Sequence, residues 1–78
     1  MDTGARLDAI LATLNAAEVG TLDSIAAKLR QVEQELLSLG QPELAARAAE
    51  VALALTRGDV TEFKRGRAFL QSKVGHLR

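Results

Sequence analysis

Between Leu22 and Leu39 the large apolar residues fall at Leu22, Ile25, Leu29, Val32, Leu36 and Leu39. The steps are three and four in alternation, which puts all six on one side of an α-helix and makes a continuous seam. The spacing predicts a helix over 22–39. Its outer side, Lys28, Arg30, Gln31, Glu33, Gln34 and Glu35, is mixed in sign and rich in good helix formers. Such a seam must be covered by other helices. The rest of the apolar content is Leu, Ala, Val and Ile, with only two aromatics, Phe63 and Phe69. That composition favours helices packed at close range over a sheet core.

Glycine punctuates the chain at positions 20, 40, 58 and 75. Each follows an amphipathic segment, where a left-handed residue ends a helix. A first helix is expected over 4–18, started by Asp2 or Thr3 and striped by Leu7, Ile10, Leu11 and Leu14. Thr21 is the expected N-cap of the second helix, with Asp23 in its first turn.

Pro42 suits the first residue of a third helix, 42–57. Leu44, Ala48, Val51 and Leu55 form its seam, and Ala45, Ala49, Ala52 and Leu53 widen the apolar surface. Glu43 and Arg47 are spaced as an i,i+4 ion pair. The fourth helix, 60–74, opens with Asp59 and Glu62 in the pattern of a capping box. It carries Val60, Phe63, Leu70, Val74 and Leu77 on one face. Gly66 lies on that face too. It marks either a close crossing of backbones against the alanine-rich third helix or a local kink.

The expected fold is therefore all-α, a small antiparallel bundle of four helices in one domain, 1–78. The alternative is three helices plus a mobile N-terminal segment. At 78 residues the core is marginal, and stability often needs a staple or an oligomer. With no cysteine, neither a disulfide nor a thiolate metal site can form.

No apolar run approaches the about 20 residues that span a bilayer, so no membrane insertion is expected. The start, Met1-Asp2-Thr3-Gly4, has no basic or hydrophobic leader pattern. The expected location is cytoplasmic.

Formal charge sums to zero but is unevenly distributed. Residues 1–56 carry four basic and eight acidic side chains, net −4, and residues 57–78 carry six basic and two acidic, net +4. The basic group Lys64, Arg65, Arg67 and Lys73, with Arg78, admits three readings. It is a solvated face, a dock for an acidic protein surface (this chain's own or another copy's), or a holder of nucleic-acid or membrane phosphates. Zero net charge and the lack of an evident aromatic platform speak against nucleic acid.

Chemistry-bearing patterns are missing. His76 stands alone near the C-terminus, and no H-E-x-x-H, G-x-S-x-G or glycine-rich phosphate loop occurs. No catalytic, cofactor or metal site is expected.

Two local resemblances exist. The stretch TLDSIAAKL resembles the first helix of a helix-turn-helix in winged-helix regulators, which would imply DNA binding by a recognition helix after a short turn. Here the continuation is Arg30-Gln31-Val32-Glu33-Gln34-Glu35, with no turn glycine and with acids where phosphate-binding side chains belong. LTRGDVTEF is similar to the inter-helix turn of tandem helical-hairpin repeats, but the repeat's aromatic and small-residue signatures are missing, and so is a third copy.

The functional expectation is a non-catalytic protein-interaction or assembly module, a homodimer in its simplest form. Leu36, Leu37, Leu53 and Leu55 are the candidates for surplus apolar contact. The alternative is a small nucleic-acid-binding domain using Lys64, Arg65, Arg67 and Lys73.

Overall fold

The computed structural model describes residues 3–17 and 19–77. It contains four helices, α1 (Thr3–Ala16), α2 (Leu22–Ser38), α3 (Pro42–Thr56) and α4 (Val60–His76), and no strand among the described residues. The first segment is thus a helix, the shortest of the four. Asp2 as its cap lies outside the described residues, and Thr3 is already in the helix.

The expected side-chain caps form at the starts of α2 and α4. Thr21 accepts from the Ser24 N–H at 3.1 Å, and Asp59 accepts from the Glu62 N–H at 3.1 Å. Each satisfies an amide that the helix itself cannot. The box at Asp59 is only half made. The Asp59 N–H donates to the Ala54 carbonyl at 2.9 Å, and the Glu62 side chain turns to Arg47 and Arg65 instead.

The ends of α2 and α3 are built alike. Gly40 and Gly58 sit at φ +74° and +79°. Around them the N–H groups of Gln41 and Gly40 bond the Leu36 and Leu37 carbonyls, as those of Asp59 and Gly58 bond Ala54 and Leu55. This double closure needs a left-handed residue, which glycine supplies at no steric cost. Gly75 ends nothing, because α4 runs through it to His76.

Each helix packs on two neighbours, in the ring α1–α2–α3–α4–α1. Short turns make successive helices antiparallel. Arg6 near the start of α1 accordingly meets Glu35 and Ser38 near the end of α2. The core is Leu7, Ile10, Leu14 and Ala17; Ile25, Leu29, Val32 and Leu36; Ala45, Ala48, Val51, Ala52, Ala54 and Leu55; and Phe63, Leu70 and Val74.

Gly66 is buried, and a Cβ placed there would collide with Val51 Cγ2. The close crossing of α4 on α3 is therefore the correct reading of this glycine.

Three seam positions depart from expectation. Leu22, Val60 and Leu77 are exposed. They stand at helix ends, where the repeat continues but the neighbour does not. Helical side chains lean toward the N-terminus, so those of Leu22 and Val60, each the first residue of its helix, reach past the packed length. Arg47 also chooses differently. It pairs with Glu50 at 3.0 Å and with Glu62 of α4 at 3.5 Å, not with Glu43.

Candidate interaction surface

Leu36 and Leu55 are corrected by the structure. They are 0% and 6% exposed and belong to the core. Leu36 lies seven residues after Leu29, and Leu55 four after Val51, so both sit on the buried line of their helix. Leu37, one residue past Leu36, and Leu53, two residues before Leu55, lie off those lines and remain 48% and 53% exposed. Leu53, Ala49 and Ala52 line a shallow groove between α2 and α3 opposite Arg30 and Glu33. Leu37 shares the helix side of Arg30 and Glu33.

The four basic candidates do not form one patch. Arg67 is partly buried, and its Nη1 donates to the Leu14 carbonyl at 3.2 Å. On the α2 side, the Lys28 ammonium lies 3.4 Å from the carbonyls of Ala16 and Val19. α1 has no basic residue in its own last turn. Its C-terminal carbonyls therefore draw cations from both neighbouring helices, where the helix dipole favours positive charge. Lys64 and Arg65 are both exposed, but adjacent residues diverge by about 100° around a helix. Arg65, Phe69 and Lys73 follow one another at four-residue steps along α4; Arg65 lies 3.9 Å from Glu62 on the same helix, and Phe69 and Lys73 lie toward α3.

Phe69 and Lys73 belong to one wall of an open groove of about 580 Å³ between α3 and α4. Gln41, Glu43, Leu44, Arg47 and Glu50 line one side, and Phe69, Lys73, His76 and Leu77 the other. Phe69 is 41% exposed. The Arg47 guanidinium carbon lies 5.4 Å from its ring centroid and the Lys73 ammonium 5.6 Å, so two cations share the electron-rich faces of one ring. The sequence held a signal for this: Phe69 lies off the buried stripe of α4, with Lys73 four residues on. The contribution of Arg47 from the preceding helix was not visible there.

Among the described residues no group of three or more His, Asp or Glu is placed to hold a metal ion. No helix among the described residues is long and apolar enough to cross a membrane. No protein-family model, curated protein or solved structure matches the chain.

Proposed function

We propose that this chain is a non-catalytic protein-interaction module that assembles with a copy of itself through apolar helix surface. One observation carries the reading. Seven large apolar side chains are exposed among the described residues: Val19, Leu22 and Val60 stand in a turn or at a helix start, whereas Leu37, Leu53, Phe69 and Leu77 lie along or at the ends of α3 and the helices flanking it, and α1 itself exposes none. Apolar area on one side of a small bundle is the usual mark of a protein contact. A self-complementary surface closes most simply as a dimer. Light scattering on the purified chain tests this. The expected mass rises toward twice the monomer as concentration goes from micromolar to several hundred micromolar, and a constant monomer mass would end the proposal.

A second reading, a small nucleic-acid-binding domain, draws on the exposed Phe69 ring beside Lys73 and Arg47, an aromatic with cations of the kind that stacks bases and holds phosphates. Glu43 and Glu50 in the same groove oppose it. A mobility shift at low salt that disappears steeply as salt rises would favour this reading over the first.

A further inference from the structure

We infer that the side of the bundle formed by α3 and α4 is the dimer face, and that a second copy of this chain covers it about a twofold axis parallel to the helices. The inference rests on the self-association proposed above and names its surface and geometry.

The two walls of the groove differ in charge. Glu43 and Glu50, seven residues apart, form an acidic row on α3. Lys73 and His76 line the α4 wall, and Arg65, exposed beyond the groove lining, stands two four-residue steps before Lys73 on the same helix. The relative height of the rows follows from contacts within one copy. Gly66 lies against Val51, Phe69 lies beside Arg47, and Glu43 and Leu44 share the groove end with Lys73, His76 and Leu77. Glu43 is thus level with Lys73, and Glu50 is level with the turn containing Arg65 and Gly66.

An axis parallel to the helices exchanges the walls and keeps the heights. It sets Glu43 of each copy opposite Lys73 of the other, and Glu50 opposite Arg65, with the two Phe69 rings near the axis. An in-plane axis perpendicular to the helices would set the acidic row against itself and the basic row against itself. Like charges facing one another across an interface are strongly unfavourable, so charge selects the parallel axis.

The face also balances as a whole. Glu43, Glu50 and Glu62 match Arg47, Arg65 and Lys73 in number, so two copies meet without net repulsion. Phe69 between the walls, with Leu44 and Leu77 at the groove end, supplies its apolar area.

Two helices about 25 Å long, set about 9 Å apart, present a face of roughly 500 Å² per copy, near the lower limit for a specific interface. A weak, reversible dimer is the expectation.

The test is a charge exchange read by sedimentation velocity at up to several hundred micromolar. Lys73→Glu and Glu43→Lys are both surface changes, and unchanged circular dichroism confirms folding. Each variant alone should dimerise at least about tenfold more weakly than the wild type, because each opposes like charges twice. An equimolar mixture restores both opposite pairs and should recover wild-type association, as should the double variant Lys73→Glu/Glu43→Lys. Variants that dimerise like the wild type, or a mixture no stronger than its components, would overturn the inference. If Leu53→Glu dissociates the dimer and Lys73→Glu does not, self-association stands and this face falls. A wild type that stays monomeric removes both.

Discussion

α1 and α3 occupy opposite corners of the same ring, and different interactions hold them there. α3 meets its neighbours through small residues. Ala45, Ala48 and Ala52 are buried on it, and Gly66 of α4 comes directly against Val51. α1 is held by a shorter apolar row and by long polar side chains that reach across to it. Arg6 bonds Glu35 and Ser38, Lys28 and Arg67 approach its terminal carbonyls, and Gln71 donates to Asn15 at 2.7 Å. Each such bond nets only about 1 kcal/mol, because water offers the same partners. Small-residue packing leaves no water to compete. The corner at α3 should therefore be the rigid part of the molecule, and α1 the part that opens first.

Leu29→Ala offers the largest test, since α2 belongs to both corners. Leu29 is fully buried, and its truncation should cost about 2–5 kcal/mol, enough to unfold much of so small a domain. A loss under about 1 kcal/mol by chemical denaturation would contradict its place in the core.

Gly66→Ala probes the α3 corner alone. Alanine gains about 1 kcal/mol of helix propensity, but its methyl has no room beside Val51, whose χ1 is nearly fixed within a helix. Overpacking of this kind costs about 1–3 kcal/mol, so the variant should be less stable. Adding Val51→Ala should make the same glycine change stabilising. A stabilised single variant would show that the crossing is loose.

Asp59→Ala should lower stability by about 0.5–2 kcal/mol through loss of the α4 cap. An unchanged denaturation midpoint would place the cap elsewhere. Arg67→Met should have the smallest overall effect, about 1 kcal/mol, and a local one. Amide exchange in α1 should accelerate while that in α3 holds. Equal acceleration in both would erase the distinction between the two corners.

Local chemistry made much of this fold legible beforehand. Thr21 and Asp59 act within three residues of themselves, and Gly40 and Gly58 within five, so the bounds of α2, α3 and the start of α4 could be read from neighbours in the chain. The small residues also declared themselves, because a glycine on a packing face has few explanations.

What remained hidden depends on where another helix stops or how far a long side chain reaches. The repeat that includes Leu22 does not reveal that α1 ends at Ala16. Leu36 is the exception: it already stood on the seam read from the sequence, so its burial was legible, whereas Leu37 lies off that seam and is exposed. Arg67 looks like its basic neighbours until the end of α1 is placed beside it. Arg47 had a well-spaced acid at Glu43 and used Glu50 and Glu62 instead, because α4 lies on that side.

An amide-resolved nuclear magnetic resonance dilution series would test most directly whether the associating side of the molecule is the one around α3. Between a few hundred and about ten micromolar, signals of Glu43, Arg47, Glu50, Phe69 and Lys73 should shift together along one binding curve, with those of α1 stationary. Shifts that centre on α1, or none at any concentration, would contradict it.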